Sequence, residues 1–215
     1  GYTTGASVLQ AGVNTSISKL EHNNTAALIT GEGTTLTITG DSSSYGGSFG
    51  GTVTVDYTGG GTFTLGNSDK TVALTPAASA DATLKISSGT LSLFSGNVNW
   101  SQKLVMGDGT TLTVQDGPAV SGYYNYDATS INGDGFTFSG AATFGTGVNL
   151  TTQYGKNIKF TGVLTAASGF SISGADSEYT YYTLTGTENQ IGGTIAITRN
   201  STSLGINASG SLGTA

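Results

Sequence analysis

The chain has 215 residues and a net charge of −6, and 35 Gly, 37 Thr, 25 Ser and 13 Asn make up about half of it. These types are poor in helix interiors and the strong helix formers are scarce, which excludes a helical protein; 36% apolar residues and only two Pro exclude ordinary polar disorder. One Arg and six Lys leave no basic stripe for phosphates, so no nucleic-acid partner is expected, and zero Cys removes disulfides, thiolate metal sites and a cysteine nucleophile.

Along the chain, two apolar residues separated by one polar residue recur between Gly, Asn, Asp or Ser, the alternation of a half-buried strand. In order, the pairs are Leu36/Ile38, Val53/Val55, Phe63/Leu65, Val72/Leu74, Leu84/Ile86, Leu91/Leu93, Val98/Trp100 and Leu104/Met106. They continue as Leu112/Val114, Phe136/Phe138, Val148/Leu150, Ile158/Phe160, Phe170/Ile172, Ile195/Ile197 and Leu204/Ile206. Turn formers lie between them, including Gly59 to Gly61 and Gly192-Gly193.

Short, uniform strands with a narrow inward stripe fit a sandwich poorly, because the one Asn-Gly hairpin signal, at Asn132, is isolated. They fit a β-solenoid, whose turns each contribute three short strands with Gly, Asn and Ser at the corners. The expected fold is therefore all-β, an irregular β-solenoid over residues 1–215 as a single domain, with roughly nine or ten turns at about 4.8 Å each. Gly31-Glu-Gly-Thr-Thr-Leu-Thr-Ile38 and Gly107-Asp-Gly-Thr-Thr-Leu-Thr-Val114 are near copies whose offset suits three or four turns. The least periodic stretch, 117–134, is expected to protrude as a loop.

That loop carries Tyr123, Tyr124 and Tyr126, and a second cluster holds Tyr179, Tyr181 and Tyr182. A tyrosine ring buries area while its hydroxyl hydrogen-bonds, so these six are the candidate ligand-binding residues. The alternative reading is that they cap the rod or stack along it.

The catalytic motifs fail on inspection. Gly46-Gly47-Ser48-Phe49-Gly50 has the spacing of a nucleophile elbow but follows no strand-to-helix pattern, and nothing places the single histidine, His22, beside Ser48. One His and no Cys do not make a zinc site, and Gly59-Gly60-Gly61 lacks the Asp of calcium-binding nonapeptides. Asp41, Asp69, Asp108, Asp134 and Asp176 read as turn residues bonding their own backbone. Asp176 and Glu178 are the nearest local carboxylate pair for glycoside cleavage. No cofactor, metal or catalytic residue is expected. Thr35/Thr37/Thr39, Thr52/Thr54, Thr62/Thr64, Thr111/Thr113 and Thr185/Thr187 would order water like an ice-binding surface if stacked in register, but their irregular spacing favours scatter.

The Gly-x-Gly-Thr-Thr-Leu-Thr-Ile/Val units, Gly89-Thr-Leu-Ser-Leu-Phe-Ser-Gly-Asn97, the few basic residues and the lack of Cys resemble the passenger regions of bacterial type V autotransporters and related right-handed parallel β-helix surface adhesins. The resemblance implies a right-handed β-helix, secretion through an outer-membrane barrel, display at the cell surface or release, and non-enzymatic adhesion, with virulence as a common setting. Its implied partners are another copy of the chain or a host glycan or protein. No apolar run is long enough to span a bilayer, so this segment is not expected to insert directly into a membrane. The alternatives are a glycan-active β-helix such as a phage tailspike depolymerase, and a purely structural shaft or S-layer segment. Gly1 and Ala215, both in small-residue sequence, are expected to be boundaries of something longer.

Overall fold

A computed structural model describes residues 7–22, 27–66, 79–94, 98–115, 135–152, 157–174, 180–199 and 202–206. Among them no helix forms, 61% lie in strands, and the strands wind as a parallel β-solenoid of about seven turns. A full turn lays down three strands, one on each of three faces. Each strand pairs in parallel with its counterpart one turn later. The second and third faces are eight-stranded sheets, while the first is made of a three-stranded sheet ending at Ser48–Gly51 and a five-stranded sheet starting at Val98–Trp100.

Inter-turn pairing satisfies the backbone of every internal strand, so short segments with little propensity of their own are held on both sides. The corners continue the ladder: Thr54 donates its amide to the Thr34 carbonyl at 2.9 Å, and Thr83 to Val53 at 2.9 Å. Several strand exits add a side-chain clamp. The hydroxyls of Thr39, Thr58, Thr161, Thr185 and Thr198 each donate to the carbonyl closing the previous turn's strand, at 3.2–3.4 Å.

Alternation turns both residues of an apolar pair into the interior and the polar residue between them outward. On the second face Leu36, Val55, Leu84 and Leu104 stack in successive turns, and on the third Phe63, Leu91, Leu112 and Leu150 do the same, all at 0–1% exposure. Eight rings form a continuous column: Tyr45, Phe49, Trp100, Phe136, Phe138, Phe160, Phe144 and Phe170, with centroids 4.7–6.5 Å apart. Contacts of this kind contribute about 0.5–1.5 kcal/mol each beyond simple burial. Phe49 packs edge-on to Trp100 at 5.7 Å, so the two sheets of the first face share one core.

Three sequence expectations change. The turns number about seven, not nine or ten. Most turns take 19–25 residues between paired positions, but Thr54 pairs with Thr83 and Leu104 with Ala142, offsets of 29 and 38 residues, so two turns are longer than the rest. The near-copies at Gly31 and Gly107 are not stacked: strand Thr35–Ile38 lies on the second face and Thr111–Gln115 on the third. What they share is local. Gly33 and Gly109 both take positive φ, +61° and +67°, and Thr34 and Thr110 both donate to backbone carbonyls at 2.8 and 2.7 Å. The motif therefore encodes a corner and the strand after it. Finally, Ile197 and Ile206 are 52% and 45% exposed, because they occupy the last described strands of their sheets.

Some glycines are required by the closeness of adjacent turns. A Cβ on Gly61 would fall on the Asp41 carbonyl, whereas one on Gly60 would meet nothing within 4 Å. Denaturant unfolding should show Gly61→Ala destabilised by about 1–3 kcal/mol and Gly60→Ala nearly unchanged. Equal midpoints for the two variants would contradict this inter-turn packing.

Candidate functional site

Tyr123, Tyr124, Tyr126 and Tyr179, the expected loop at 117–134, and the Asp176/Glu178 pair lie outside the described residues. Tyr181 and Tyr182 are adjacent on strand Thr180–Leu184 and so point to opposite sides. Tyr181 is half-buried on the outer side, while Tyr182 is an interior residue at 1% exposure. The Tyr182 hydroxyl sits 2.7 Å from the Ser173 carbonyl and 3.1 Å from that of Leu150. Its ring offers no face to an external ligand, which removes it from the expected contact surface. Neighbours along a strand form no spatial cluster.

The other candidates are structural in their contacts. Ser48 lies within strand Ser48–Gly51, its hydroxyl turned to the Ala27 carbonyl at 3.5 Å, so the elbow spacing sits in a solenoid strand. The His22 ring is 6.4 Å from Tyr45 near the first turn. Asp108 accepts the Thr146 amide one turn later at 2.7 Å, a bond between turns where the sequence suggested a local one. Among the described residues no three His, Cys, Asp or Glu side chains are grouped to hold a metal, and no helix is long and apolar enough to cross a membrane.

The outward side of the third face is the most regular surface. Register places Ser42, Thr62, Thr90, Thr111, Asn149 and Ser171 in one rank, and Ser44, Thr64, Ser92, Thr113, Thr151 and Ser173 in a second, two residues along each strand. The strand-exit hydroxyls are committed to carbonyls, but these are not. Among the described residues the only side-chain hydrogen bond within the ranks joins Ser171 Oγ to Asn149 Oδ1 at 2.8 Å. Ser92, between Thr64 and Thr113, is wholly buried with its Oγ unpartnered.

Charge separates this face from the others. The second face carries Asp56, bridged to Lys85 at 2.9 Å and to the Ser87 hydroxyl at 2.7 Å, and also Lys103; the first carries Lys159. From Ser42 to Ser173 the two ranks hold no charge, and the nearest strand charge on that side is Glu21, beside Lys19 on the first turn. The sequence showed the Thr pairs but not their alignment, because two turns longer than the rest break the spacing that would reveal it.

Comparison of the chain with known proteins finds no matching family model, no similar curated protein and no similar solved structure.

Burial raises the ionisation of the Tyr45 and Tyr182 phenols well above the ordinary value of about 10, and burial together with the Asp41 charge raises that of Tyr57. Folding thus favours the neutral phenol; this contribution is full below pH about 10 and is lost as pH rises through the folded values. Alkaline titration followed by circular dichroism should show stability falling above pH about 10. Tyr182→Phe should cost about 1 kcal/mol at neutral pH yet lose stability less steeply above pH 10, and a slope identical to the parent chain would contradict the buried assignment.

Proposed function

We propose that this chain is a non-enzymatic adhesive rod, secreted or displayed at a cell surface, whose third face attaches to another copy of the chain or to a host glycan or protein. The observation that carries the reading is the pair of uncharged ranks, of whose hydroxyls, among the described residues, only Ser171 Oγ is hydrogen-bonded and only that of Ser92 is shut off from solvent. Such groups stay hydrated until a partner supplies hydrogen bonds, and each exchange for water yields little net energy. Attachment therefore needs many rungs at once, and several rods on one surface multiply it. The passenger-like sequence rhythm supports an autotransporter route to the surface.

Placing Lys at Thr64 and Thr113 would set two charges on the second rank while leaving the inward Leu91 and Leu112 columns intact. Sedimentation velocity and binding to cells and a glycan panel should show attachment or self-association by the parent chain, weakened about tenfold, about 1.4 kcal/mol, in the double variant. The reading fails if the folded parent chain neither self-associates nor binds any cell or glycan tested.

A further inference from the structure

We infer that the third face binds the ordered water of an ice surface. This names the partner of the same face, and so rests on reading that face as a contact surface.

Equivalent hydroxyls one turn apart are separated by the inter-strand distance, about 4.8 Å, and the two ranks by two residues of strand, about 6.6 Å. A tetrahedral water network built from hydrogen bonds about 2.75 Å long has second neighbours at about 4.5 Å and a layer repeat near 7.3 Å. The two grids agree to within about a tenth in both directions. Six rungs in register, from Ser42 to Ser171, hold that match over about 24 Å.

The chemistry agrees with the spacing. Thr side chains are stiff at χ1, so the hydroxyls of Thr62, Thr64, Thr111 and Thr113 are held on the grid with little rotamer entropy left to lose. Each Thr also carries a methyl group beside its hydroxyl, which offers water no competing partner. A charged group would impose its own hydration shell on that lattice, and the ranks contain none. Ser92, at the centre of the second rank, is shut off from solvent, so ordered water meets the first rank along its whole length and the second rank on either side of Ser92. The second face lacks such uncharged ranks, since Asp56, Lys85 and Lys103 interrupt its Thr rows and two of them are tied into an ion pair.

The test uses the full chain in ice-recrystallisation and ice-affinity partition assays. The parent chain should keep ice grains finer than an equal mass of albumin and should partition into a growing ice front. Thr64→Lys with Thr113→Lys should fall to the albumin level, Thr113→Val should lose part of the effect, and Thr37→Lys on the second face should retain it, with circular dichroism confirming that each variant is folded. A parent chain no better than albumin overturns the inference. Failure on ice together with self-association or cell binding sensitive to the Thr64/Thr113 variant leaves the contact surface standing and removes ice as its partner. Failure of both assays removes both readings. Ice binding lost equally in Thr37→Lys also overturns the assignment to this face.

Discussion

The constraint on which the rest depends is the parallel backbone ladder between successive turns. Each strand has only two to five residues and no stability alone; it exists because the turns before and after it satisfy its amides and carbonyls. The ladder fixes register, and register determines everything else. Apolar residues meet apolar residues one turn away, aromatic rings fall into one column, and outward hydroxyls fall into ranks. A slip of one residue would exchange the two sides of a strand, burying Thr62 and Thr64 and exposing Phe63 and Leu65.

Much of this was legible in the sequence. The pairs Leu36/Ile38, Leu84/Ile86, Leu91/Leu93 and Leu112/Val114 are all interior, because a residue pointing into a narrow core must be apolar and its neighbours must face out. Strands with polar or small interior positions were not legible. Ser42–Tyr45 places Ser43 inside, and Ala142–Phe144 and Leu164–Ala166 use alanines, so no pair of large apolar residues marks them. Identity of motif also misled: Gly-x-Gly-Thr-Thr-Leu-Thr occurs twice on different faces, since local sequence dictates a corner and the strand after it, not the side of the solenoid on which they lie.

The candidate surface was less legible than the fold. A tyrosine cluster is conspicuous in sequence, yet Tyr181 and Tyr182 part company across the sheet. The hydroxyl ranks are inconspicuous in sequence and become a lattice only when turns of different length are superposed. The same residue type then does two jobs. At a strand exit a Thr hydroxyl reaches a carbonyl of the previous turn, while in the ranks of the third face those of Thr62, Thr64, Thr111 and Thr113 point outward and make no hydrogen bond among the described residues.

Because the chain has no native cysteine, two spin labels can be placed without competing thiols. Ser42 and Ser171 lie in one rank five steps apart, and Ser42 and Thr111 lie three steps apart, so pulsed dipolar spectroscopy should give mean separations near 24 and 14 Å, widened by the label arms but differing by about 10 Å. That difference is set by two rungs of the ladder and by nothing else in the fold. Separations that fail to grow with the number of rungs, or that are longer for Thr111 than for Ser171, would contradict the stacked register and the surface built on it.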